Sequence, residues 1–109
     1  MKNKEDLKAK ALDLAGMVAY GDQAVVSRTL IDRKTGTLTL FAFDEGQGLS
    51  EHTAPFDAAV QIIEGEAVIT IGGNEIQTRA GELVIMPAGI PHSLKARKPF
   101  KMLLIMIRS

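Results

Sequence analysis

The chain has 109 residues, of which 46% are hydrophobic, and 13 basic residues balance 13 acidic ones. That length suits one domain, which buries roughly two-thirds of the surface its unfolded chain exposes. Balanced charge leaves no basic field for nucleic acid or anionic lipid, and the lack of cysteine excludes disulfides and thiolate metal ligands. Met1-Lys2-Asn3-Lys4-Glu5-Asp6 leads into no signal-peptide core, and no apolar run approaches membrane-spanning length. A soluble, cytoplasmic protein is expected.

Residues 3–20 read as a helix, within a lead-in that covers residues 1–23. Leu7, Ala11, Leu14 and Val18 recur at helical spacing, and Lys8, Lys10 and Asp13 fall on other faces. Asn3 is a candidate N-cap and Asp6 favours the first turn. Gly16 weakens the second half and Gly21 stops it.

From Ala24 to Ser109 the pattern changes to short strands and turns. Val25–Ile31 and Thr37–Asp44 are rich in β-branched and aromatic residues, with Asp32-Arg33-Lys34-Thr35-Gly36 turning between them. Glu66–Gly72 follows, then the hairpin signal Gly72-Gly73-Asn74, whose residues accept positive φ. Ile76, Thr78 and Ala80 alternate with Glu75, Gln77 and Arg79 in a half-exposed strand. Glu82–Pro87 and Phe100–Ile107 complete the set. Many short strands at close spacing predict an all-β sandwich or barrel in a single domain.

Two strands are apolar on both faces. Phe100, Met102, Leu104 and Met106 line one side of the last strand, and Leu103, Ile105 and Ile107 the other. Phe41 and Phe43 oppose Leu38, Leu40 and Ala42 in the same way. A sheet with one face on the core should turn a polar face outward, so something covers these strands. The N-terminal helix would cover one, and a second subunit the rest, which predicts a homodimer. Arg28 shares a face with Val26 and Leu30 and is expected on a rim, since arginine is seldom buried unpaired.

The chain has two histidines, His52 and His92, each in a segment punctuated by glycine and proline. Gly46, His52 and Gly65, followed by Gly81, Pro87, Gly89 and His92, resemble the two motifs of the cupins. The second motif fits Gly81-Glu82-Leu83-Val84-Ile85-Met86-Pro87-Ala88-Gly89-Ile90-Pro91-His92 throughout, with Ala96 where the family ends on asparagine. The resemblance implies a cupin double-stranded β-helix, a jelly-roll barrel over residues 24–109, behind the short N-terminal helix. In the first motif Ala54 stands at the family's second histidine and Ala58 at its glutamate. The family's metal cage thus reduces to His52 and His92.

Strand alternation then directs His52, Ala54, Ala58, Val60 and Ile62 inward, and likewise His92 and Leu94. Glu51, Asp57 and Gln61 point the other way, unless a bulge near Pro55 re-aims them. The expected ligand pocket consists of His52, Ala54, Ala58, Val60 and His92. The alanines leave a small, largely apolar cavity with two convergent polar groups, suited to a compact carboxylate or carbonyl compound. Two functions stay open. In one, His52 and His92 hold a divalent transition metal (Zn, Fe, Ni, Mn or Cu) and the barrel is a metal-assisted enzyme. In the other, the histidines hydrogen-bond a metabolite in a non-catalytic binding or sensor barrel without metal. Purely structural histidines are the third possibility.

Overall fold

The computed structural model describes residues 6–108. Nine strands follow one another in these residues: β1 Val25–Arg33, β2 Gly36–Phe43, β3 Gly48–His52, β4 Ala58–Glu64, β5 Glu66–Ile71, β6 Asn74–Arg79, β7 Leu83–Met86, β8 His92–Lys95 and β9 Phe100–Ile107. They form two antiparallel sheets, one ordered β1-β2-β9-β4-β7 and the other β3-β8-β5-β6. The tight connection between β5 and β6 is Gly72-Gly73, both at positive φ, as a two-residue hairpin turn requires. Gly65, between β4 and β5, has φ +78°, and a Cβ there would meet the Pro99 carbonyl oxygen at 2.6 Å. Backbone passes so close at this corner that glycine alone fits.

The two sheets close on a core of Phe43, Val60, Ile62, Ala67, Ile69, Leu94, Phe100 and Met102, with Phe43 stacked on Phe100 at 4.5 Å between ring centroids. Alternation along β2 and β9 assigns their faces as the sequence predicts. Phe41, Phe43, Phe100, Met102, Leu104 and Met106 join this core, while Leu38, Leu40, Ala42, Leu103 and Ile105 form a second cluster on the outside of the five-stranded sheet. Leu14, Met17 and Val18 pack onto that outer cluster. The N-terminal segment therefore does cover part of the outer face.

It does so without the predicted helix. Among the described residues the only helical element is one 3-10 turn, Leu14–Met17; the candidate cap Asn3 lies outside them. Ala9 sits at φ 59°, a left-handed conformation that interrupts an α-helix, and Asp13 and Val18 on either side of the turn are extended. The apolar residues at helical spacing are instead laid along the sheet.

Polar contacts fasten this strap. Lys101, 9% exposed on β9, sends its ammonium to the Ala15 carbonyl at 2.6 Å. The same ammonium lies 4.9 Å over the Tyr20 ring and 3.9 Å from Glu64. The Tyr20 hydroxyl donates to Glu64 at 2.6 Å, and burial, then this bond, holds its phenol above the ordinary pKa. Arg28 donates to the Met17 carbonyl at 3.3 Å, part-buried beneath the strap. Lys101→Met keeps the aliphatic stem and leaves the Ala15 carbonyl without its charged donor. Its unfolding free energy in a urea melt should fall by about 1–3 kcal/mol. An unchanged midpoint would show that these contacts add nothing.

Candidate functional site

His52 ends β3 and His92 begins β8, and the antiparallel register sets them directly opposite each other. Two residues 40 positions apart thereby meet, with Nε2 to Nε2 at 3.1 Å and ring planes inclined at 68°. His92 is 4% exposed, whereas His52 is open to solvent at the barrel mouth. The register of β3 shifts between Leu49 and His52, so the irregularity precedes the histidine instead of falling near Pro55. It re-aims none of the three polar side chains: Glu51, Asp57 and Gln61 are absent from the wall of the cavity beside the histidines. Asp57 has another task. Its Oδ1 accepts the Ala88 backbone N–H at 2.8 Å, while the Gly89 N–H donates to the Ala54 carbonyl at 2.8 Å. These two bonds tie the loop after β7 to the loop before β4 and so shape the mouth.

Backbone carbonyls beside the imidazoles orient the rings. The His52 Nδ1 lies 2.8 Å from the Ser50 carbonyl oxygen, and the His92 Nδ1 lies 3.2 Å from that of Ile90. A carbonyl only accepts, so each Nδ1 carries hydrogen and donates it. Both Nε2 atoms are then bare, and two facing lone pairs at 3.1 Å repel unless a cation lies between them. A proton or a metal ion placed between them would satisfy both lone pairs.

The cavity has a volume of about 310 Å³. His52, His92, Ala54 and Ala58 all line it. Val60 does not: it is wholly buried in the core, beyond the cavity wall. The rest of the lining is almost entirely apolar, with Leu49, Pro55, Phe56, Leu94 and Leu104 joined by Met86, Met102 and Met106. The methionines escape a reading of single strands because the ladder places them. Ala58 on β4 pairs with Met86 on β7 and with Met106 on β9, so two thioether side chains flank the alanine.

The spacing of the two Nε2 atoms suits ligands of one metal. Two nitrogens each about 2.0–2.1 Å from one ion, at angles between square and tetrahedral, stand about 2.9–3.4 Å apart. Their number does not close a site. Among the described residues no group of three or more His, Cys, Asp or Glu side chains converges to hold a metal ion.

Comparisons with known proteins agree with this architecture. A conserved protein of unknown function from Streptococcus pyogenes is 40% identical, with a TM-score of 0.89 over 99% of this chain and 93% of that one. A cupin superfamily protein from Desulfitobacterium hafniense is 28% identical, with a TM-score of 0.89 over the full length of both chains. A cupin 2 conserved barrel domain protein from Leptotrichia buccalis is 34% identical, with a TM-score of 0.85 over 88% of this chain but 47% of that one, so this chain spans about half its length. No curated protein matches. A family model described as a cupin domain matches residues 39–107. With two sheets rolled into a barrel and its histidines opposed at one end, the chain belongs to the cupin family.

Proposed function

We propose that this protein binds a compact, mostly apolar molecule ending in an anionic oxygen group, and that the His52–His92 pair anchors that group. One observation carries the proposal. His52 and His92 bring their Nε2 atoms within 3.1 Å of each other at one pole of the cavity, where a proton taken up with an acid would donate to its carboxylate. The rest of the cavity wall is apolar except for Thr53. A carboxylate placed there gains a charge-assisted hydrogen bond, and its aliphatic tail leaves water for the lining of Leu94, Leu104 and Met102. Ala54 and Ala58 leave the space that larger side chains would fill. The volume of about 310 Å³ is at the lower end for small-molecule sites and sets the size class.

A series of short branched carboxylates against their primary amides tests this. The acids should raise the melting temperature and the amides should not. A 100-fold excess over Kd corresponds to about 2.7 kcal/mol of stabilisation. His52→Ala, at an exposed position, should remove the difference without unfolding the barrel. Equal shifts from acids and amides would defeat the anchoring role.

A second reading is favoured by the Nε2 spacing. Here a divalent transition metal would be held by Nε2 of His52 and His92, with the carbonyl-bound Nδ1 atoms fixing the ring orientations. Such an ion would supply Lewis-acid polarisation of a bound oxygen.

The protein's setting follows from the same features. No helix among the described residues is long and apolar enough to cross a membrane, and a chain without cysteine suits the reducing cytoplasm. We also propose a homodimer through the outside of the five-stranded sheet. Neither nucleic acid nor membrane is a proposed partner.

A further inference from the structure

We infer that the cavity selects a flat aromatic ring, so that the acid it holds most tightly is an aromatic carboxylate of benzoate size. The acid group rests on the reading above. The choice of ring rests on Met86, Ala58 and Met106.

The sheet ladder builds a slot for such a ring. Ala58 on β4 pairs with Met86 on β7 and with Met106 on β9, and all three line the cavity. Paired residues turn their side chains to one face, so a methyl group lies between two thioethers. Neighbouring strands are about 4.8 Å apart. A ring centred over the Ala58 methyl therefore has a methionine about 5 Å to each side, the distance of a sulfur–aromatic contact. Both side chains are long and unbranched, which lets each sulfur settle on the ring's edge. Leu49 and Leu94, paired on β3 and β8, line the cavity from the facing sheet and would cover the ring's other face. A dry apolar cavity of about 150 Å³ takes benzene. The volume of about 310 Å³ leaves room for a ring with its carboxylate.

Buried apolar area does not make this selection. A saturated ring with the same carbon count is at least as hydrophobic as the aromatic one. The difference lies at the edge. An aromatic ring is positive at its edge, and polarizable thioether sulfur favours that edge. A saturated ring lacks the quadrupole and is thicker, so it gains no such contact and fits the slot less well.

The test compares benzoate with cyclohexanecarboxylate, and toluene with methylcyclohexane, on the purified full chain. Calorimetric titration reads the acids, and the shift in melting temperature reads the hydrocarbons. Two sulfur–ring contacts should make benzoate bind about tenfold more tightly than cyclohexanecarboxylate, against their order of hydrophobicity. Ring currents should move the methyl resonances of Met86 and Met106 upfield with benzoate and not with the saturated acid. Met86→Leu/Met106→Leu conserves volume and should fold. It should bind cyclohexanecarboxylate as the parent does and lose the preference for benzoate. A saturated ligand held as tightly as its aromatic counterpart, a preference that survives the leucines, or binding of none of the four would each overturn the proposal. The hydrocarbons keep the two readings apart. Toluene favoured over methylcyclohexane without acid binding would remove the anion anchor alone. Acid binding indifferent to the ring would remove the aromatic slot alone.

Discussion

Replacing Ala54 with histidine and Ala58 with glutamate should raise affinity for Zn²⁺ or Ni²⁺ by at least about a thousandfold, because tight sites recruit three or four protein ligands and the parent offers two. Both alanines already line the cavity that contains the histidine pair. A histidine at 54 adds a third nitrogen. A glutamate at 58 adds the carboxylate that a divalent ion needs for charge balance, between Met86 and Met106. The double variant should therefore prefer a harder ion than the parent does.

The cost falls on the metal-free state. Ala58 is 6% exposed, so a carboxylate there is largely removed from water. Without an ion the variant should be destabilised by about 1–3 kcal/mol, the usual range for a buried polar group with poor partners. Added Zn²⁺ should reverse this and lift the melting temperature above that of the metal-free parent. Calorimetric titration gives the affinities, and thermal melts with and without Zn²⁺ give the linkage. A variant that folds and binds Zn²⁺ no better than the parent would show that positions 52, 54, 58 and 92 do not converge on one point. The second reading of the function would fall with it.

The two glycine-, proline- and histidine-bearing motifs were enough to predict that His52 and His92 meet, since strand pairing sets them opposite. Alternation also predicted the faces of β2 and β9. The N-terminal helix failed for a physical reason. Apolar residues at the spacing of Leu14 and Val18 serve a strap lying on a sheet as well as a helix, and the contacts to Lys101 and Arg28 favour the strap. The methionines beside Ala58 were hidden because they depend on the sheet order β9-β4-β7, which no single strand reveals. Val60 shows the converse limit. It shares the inward direction of Ala58 but lies too deep to reach the cavity. Asp57 is a loop fastener, because a carboxylate beside a free backbone N–H is visible only once the Ala88 loop is in place.

If the proposed homodimer forms through the larger sheet, Ile85→Glu should shift it to monomer and leave the fold intact. The register aligns Ile31, Leu38, Ile105, Ala59 and Ile85 in one row across all five strands of the larger sheet. The row is on the outer face, opposite in direction to Met106, Ala58 and Met86. The strap packs on Leu40, Ala42 and Leu103, yet Ile31 remains 47% exposed, Leu83 48%, Ile107 58% and Ile85 64%. An uncharged row crossing a whole sheet complements a second copy of itself about a two-fold axis, and the partner's row would complete the outer layer that the strap begins. Ile85 is open enough in the monomer that glutamate there should change its stability by no more than about 0.5 kcal/mol. Two-fold symmetry buries the new carboxylate twice in the dimer, each without a cation. At about 2 kcal/mol or more per copy, the dimer should weaken by about a thousandfold or more. Ile76→Glu, on β6 at the edge of the other sheet and 38% exposed, is the control and should leave the mass unchanged. Light scattering after size exclusion reads the result. A parent that stays monomeric at high concentration, or a dimer indifferent to glutamate at 85, would place the second subunit elsewhere or remove it.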